Sequence, residues 1–154
     1  MQIEARIAEM GLELPELPPQ KTRRIRANRT GNLVYLAGHG PFKDGSYPFK
    51  GPVGAAISVE DAKAATRYNA LALLKSLQDE IGDLDRVVKI VKVVAFVYAP
   101  FGFNQASAVA DGCSDLLMDL YGERGRHSRS AICVSGLALD IVCETEMIVE
   151  VQPD

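Results

Sequence analysis

Histidine and cysteine are scarce in this chain of 154 residues, with two of the first and three of the second. Cys113, Cys133 and Cys143 fall in stretches of helix or strand pattern and form no CxxC pair, and only His39 and His127 remain to complete a metal set. This speaks against a structural zinc site, no metal is expected, and buried free thiols are the expectation. Neither GxxxxGK(S/T) nor GxGxxG occurs, which removes two common phosphate-binding loops. No apolar run is long enough to span a bilayer, and the opening Met1-Gln2-Ile3-Glu4-Ala5-Arg6 lacks the basic and apolar regions of a secretion signal. A cytoplasmic protein without a membrane role is expected. Positive charge is not in surplus either: the formal net charge of -3 repels nucleic acid, so an RNA role needs a local patch. Lys21, Arg23, Arg24, Arg26 and Arg29 crowd one short segment, but no aromatic side chain lies between them, and a solvated basic face of a first strand outweighs a phosphate-binding one. Internal repeats, linkers and a second domain are also missing.

What the chain has is clear periodicity. Residues 2–11 carry Ile3, Ile7 and Met10 at helical spacing, and a proline-stiffened stretch follows, so residues 1–21 read as a short helix with an extended lead-in to a domain over 22–154. Thr30-Gly31-Asn32 is turn chemistry between two strands, the second running from Leu33 to Ala37. Gly38-His39-Gly40 bares main-chain amides to a ligand or merely makes a tight turn, and the turn-rich run 42–52 has the length of a rim or lid. Ser58–Ile81 is the longest helical pattern, opened by Ser58 with Asp61 three residues on and stopped by Gly82. The β-branched run from Val87 to Tyr98 reads as a central strand, and Phe103–Tyr121 as a second long helix. Two alternating segments close the chain, Ser128–Val134 and Ile141–Val151, and they read as a hairpin turning around 136–140. In the second arm Glu144, Glu146 and Glu150 share one face and the other is mainly apolar. The order β-β-α-β-α-β-β predicts a single-domain α+β fold, with two long helices on one face of a five- or six-stranded mixed sheet. Arg129, entering its strand from a Gly-Glu-Arg-Gly-Arg-His loop, is well placed to clamp a small carboxylate.

Ser128-Arg129-Ser130-Ala131, followed by Leu137 and by Glu144-Thr145-Glu146, resembles the C-terminal signature of the Rid family. These are the RidA or YjgF-type imine/enamine deaminases, once also called L-PSP endoribonucleases. Arg29 to Gly38 is similar to the same family's N-terminal hairpin, and the resemblance covers about residues 22–151. It implies a chorismate-mutase-like fold, a homotrimer with clefts between subunits, and hydrolysis of small 2-imino acids to 2-oxo acids and ammonia without a cofactor. Arg129 then matches the carboxylate clamp and Glu144 the group that holds the attacking water, while Gly38 lies at the ligand's approach to the main chain. Three positions depart from the family: Arg24 stands for a tyrosine, Gly112 for an asparagine and His39 for a glutamine. His39 is thus either an added acid or base or a loop histidine with a structural hydrogen bond. A trimer that binds small carboxylates without turnover, and an RNA-directed role, are the alternative functions.

Overall fold

The structure, a computed structural model, describes residues 2–154. Five strands form one sheet in the order β1-β2-β5-β3-β4, where β1 is Ala27–Thr30, β2 Leu33–His39, β3 Val87–Tyr98, β4 Ser128–Val134 and β5 Cys143–Val151. The β3–β4 pair is parallel and the other pairs are antiparallel. Helices α1 (Gln2–Glu9), α2 (Val59–Ile81) and α3 (Ala106–Tyr121) complete the fold, and α2 and α3 pack on one face of the sheet.

The C-terminal pair is not a hairpin. The strands β4 and β5 run in opposite directions, as alternation suggests, but β3 lies between them and pairs with both. Alternation fixes which side chains share a face and says nothing of which strand is the neighbour. The basic segment is also not a strand before Ala27. It follows Pro18 and Pro19 and is held by side chains instead: Arg26 Nη2 donates to Pro18 O at 2.6 Å, and Arg26 N to Gln20 Oε1 at 3.0 Å. The Gly31–Asn32 turn closes the β1–β2 hairpin, with Gly31 at φ 57 as a two-residue loop requires.

Helix α2 begins where the sequence places it, since Ser58 caps it by accepting from Asp61 N at 3.1 Å. It ends at Gly82, φ 81, whose N–H reaches Gln78 O at 2.7 Å. Helix α3 starts three residues later than its apolar pattern, because Pro100–Phe103 is spent on a turn in which Gly102 has φ 86. Leu73, Leu77, Leu116, Leu120, Val93 and Met147 meet between helices and sheet, all essentially inaccessible. Complete burial of one such side chain contributes about 1.5–3 kcal/mol. Ile3 and Ile7 of α1 join that core, and the Asp85 carboxylate accepts from the amides of Gln2 and Ile3 at 2.7 and 2.9 Å.

Cys113 and Cys143 are buried, the Cys113 thiol pushed up to about 12 by burial, but Cys133 is exposed because β4 is an edge strand. Among the described residues no helix is long and apolar enough to cross a membrane. The sheet face opposite the helices is not uniformly polar. Tyr35 and Ile132 stand 43% and 47% exposed there, beside half-buried Phe96 and Ile148, which is more apolar surface than an isolated sheet face usually offers to water.

Candidate functional site

Alternation along β5 turns Cys143, Thr145 and Met147 toward the helices and Glu144 and Glu146 toward the open face. Glu144 is half-buried there and has no hydrogen-bond or ion-pair partner among the described residues. Burial first, and the Glu146 carboxylate second, raise its pKa above the ordinary carboxylate value. The neighbouring strand makes room for it. A bulge between Leu36 and His39 leaves both Ala37 and Gly38 exposed and returns His39 to the helix side. A Cβ on Gly38 would fall 2.6 Å from Glu144 Cδ, so only glycine admits the carboxylate against the main chain.

Two clefts meet at Glu144. One, of about 210 Å³, runs between Gly38 and the Phe42 and Tyr47 rings of the 42–52 loop. The other, of about 420 Å³, opens toward Lys21, Arg24 and Arg26. A larger trough of about 550 Å³ lies farther along the open face against Glu146 and does not reach Glu144.

His39 lines the smaller cleft but is not free to act there. It is buried, its Nδ1–H donates to Ala37 O at 2.6 Å, and its Nε2 accepts from the Ser76 hydroxyl of α2 at 2.7 Å. A carbonyl can only accept, so the tautomer is fixed and both ring nitrogens are used. Burial lowers its pKa, and the ring ties β2 to α2 in place of acid–base work. Gly112 lines none of these clefts. A Cβ there would fall 1.9 Å from Lys63 O, so it serves the close crossing of α3 on α2, where Thr66 Oγ1 also donates to Val109 O at 2.7 Å. Arg24 does line the Glu144 cleft.

Arg129 is not brought to Glu144 within one chain. It sits on the edge strand opposite Val93, on the helix side, whereas Glu144 is opposite Phe96 on the open side. Its Nη1 donates to Asp111 Oδ1 at 2.8 Å and Ser114 Oγ at 3.0 Å; its Nη2 donates to Ser107 O at 3.2 Å and Ser107 Oγ at 2.7 Å. The Ser114 hydroxyl in turn donates to His127 Nε2 at 2.9 Å, and His127 Nδ1–H to Gly125 O at 2.6 Å. Sequence reasoning missed this cradle, although a signal existed: Ser107, Asp111 and Ser114 follow at i, i+4 and i+7, one polar stripe on α3. The carboxylates that crowd together elsewhere, Glu4, Asp83 and Asp85, accept from the helix start and the turn before β3.

The family model described as YjgF/chorismate mutase-like, with an endoribonuclease attribution, matches residues 4–151. Protein TCP17 of Trypanosoma cruzi is 33% identical over 149 residues, 96% of this chain and 93% of that protein. Among solved structures, Atu1372 of Agrobacterium tumefaciens, whose function is unknown, is 30% identical with a TM-score of 0.91, covering 97% of this chain and 93% of its own. A Shewanella oneidensis MR-1 protein carrying an endoribonuclease label is 28% identical with a TM-score of 0.92, covering 97% and 99%. More distant structures, 17–21% identical, superimpose at TM-scores of 0.50–0.61 and share the fold alone. The match runs over nearly the whole domain, and the chain belongs to the Rid (YjgF) family as a divergent member.

Proposed function

We propose that this protein hydrolyses reactive 2-imino acids, or their enamine tautomers, to 2-oxo acids and ammonia in the cleft over Glu144. The observation that carries this reading is the unpartnered, half-buried Glu144 carboxylate with its raised pKa, set against bare main chain at Gly38. A carboxyl group of that kind can take a proton from water as it adds to the imine carbon. It passes that proton to the imine nitrogen to complete the carbinolamine, then relays the carbinolamine O–H proton to the same nitrogen as the C–N bond breaks and the C=O bond forms, so one water is consumed, one ammonia leaves and the glutamate is regenerated. The imine is electrophilic on its own account, and orientation with one proton relay is enough.

A carboxylate clamp from Arg129 requires a second copy, since within one chain the arginine and Glu144 are on opposite sides of the sheet. The apolar residues of the open face support a closed homotrimer with the site at the subunit boundary. A ligand carboxylate there displaces Asp111 from Arg129. That ion pair also favours a second reading, in which the assembly binds carboxylates without turnover. An RNA-directed role has less support: Arg29 is paired with Asp154 at 2.9 Å, and Arg26 is bound to Pro18 O.

The test is ammonia release from 2-iminopropionate generated in situ, with light scattering for the assembly. Glu144→Gln is expected to lower kcat/KM by ~100-fold or more. Equal rates in wild type and Glu144→Gln remove the assignment. Carboxylate binding without ammonia release selects the second reading.

A further inference from the structure

We infer that the substrate carries a second anionic group, on the side chain of the imino acid, and that Arg24 receives it. This rests on the reading of Glu144 just given and names the class of imino acid it serves. The larger cleft at Glu144 is lined by three cationic side chains, Lys21, Arg24 and Arg26, against a single carboxylate. Arg26 is committed, with Nη2 on Pro18 O and its amide on Gln20. Arg24 is the opposite case. Its main chain is fixed by Thr22, whose Oγ1 lies 3.2 Å from Arg24 O and 3.3 Å from Arg24 N, but its guanidinium has no hydrogen-bond or ion-pair partner among the described residues.

Position sharpens the inference. Arg24 lines both the Glu144 cleft and the adjoining trough, where Arg23 and Lys92 face the single carboxylate of Glu146, so it belongs to two regions in which cationic side chains outnumber acidic ones. The cleft of about 420 Å³ has room for more than a three-carbon imino acid, and its lining is the basic segment, whereas Phe42 and Tyr47 line the smaller cleft. An anchored main chain under a free guanidinium lowers the ordering cost of a bidentate contact, and the planar fork suits a carboxylate. The chemistry described is that of a 2-imino dicarboxylate, with one carboxylate beside the imine and one at the far end of the side chain.

The experiment compares imines made in situ by an amino-acid oxidase from glutamate and from norvaline, which match in chain length and differ in the distal charge. Wild type is expected to favour the glutamate imine in kcat/KM by ~10-fold, and Arg24→Gln to bring that preference close to 1. Calorimetry with unreactive 2-oxoglutarate and 2-oxopentanoate gives a second readout, in which Arg24→Gln weakens only the dicarboxylate, again by ~10-fold. A wild type that hydrolyses both imines equally, or a preference that survives Arg24→Gln, overturns the role of Arg24 and leaves the deaminase standing. Inactivity on every imine removes the deaminase reading. In that case a dicarboxylate preference in binding that Arg24→Gln abolishes upholds the anion site, and its absence ends it.

Discussion

The two histidines are held by the same device and do different things with it. His39 ends β2 and His127 immediately precedes β4. Each donates from Nδ1 to the carbonyl two residues back, at 2.6 Å, and each accepts at Nε2 from a serine on the helix above, Ser76 or Ser114. For His39 the Ser76 hydroxyl makes no further bond among the described residues, and the ring lies in the interior. For His127 the ring is half-buried and the serine also accepts from Arg129, so the same tie extends to a guanidinium. A hydrogen-bond motif therefore does not assign a role; the next group along the chain of bonds does.

Removing each ring should separate the two most strongly. His39→Ala leaves a buried hydroxyl and a carbonyl without partners and opens a cavity, and should cost about 3 kcal/mol in urea unfolding. His127→Ala, with water at hand, should cost about 1 kcal/mol. Equal losses would mean that the two ties are not distinguished by burial.

Acid should separate them next. Burial holds both rings below the ordinary 6.5, so the unfolded chain takes the proton more readily than the folded one. The associated stability is complete above 6.5 and is lost as pH falls from there through the folded-state values. Arg26 near His39 and Arg129 near His127 act in the same direction as burial. The unfolding midpoint of wild type should therefore decline on acidification, His39→Gln should remove most of that slope, and His127→Gln should remove less. A slope untouched by His39→Gln would place the acid sensitivity elsewhere.

The smallest effect bears on the serines. Ser114→Ala should leave stability within about 1 kcal/mol of wild type yet weaken carboxylate binding ~3-fold or more, because Arg129 loses one of the bonds that orient it. Ser76→Ala should do the reverse, lowering stability and sparing binding. Titration of a 2-oxo acid into both variants reads the difference, and identical behaviour would break the distinction drawn here.

What the sequence showed depended on how far a cause reaches along the chain. The start of α2 was legible because Ser58 and Asp61 are three residues apart, and the two faces of β5 because alternation is local. The placing of β3 between the last two strands was not, since pairing joins Val93 to Arg129 and Met147 across distant stretches. His39 has the surroundings of a ligand loop, and only Ser76, 37 positions away, shows that its ring is already engaged. Gly112 was read as a vacated ligand position, whereas the backbone of α2 at Lys63 is what excludes a side chain there. Arg24 and Glu144 share a cleft because the segment before β1 folds back over β2; in the sequence only the family resemblance joined them, since local periodicity does not reach that far.

The place of β5 in the sheet has a consequence for the protein's manufacture. Of the neighbouring pairs, β1–β2 and β3–β4 are complete on their own, and β5 alone joins the two halves. In chain order the strands of both half-sheets and both long helices precede the central strand. Each half then presents an unpaired inner edge, a template for the wrong neighbour. Glu144, Glu146 and Glu150 give β5 itself a charged face, which disfavours its association with other apolar surfaces until the two halves close around it.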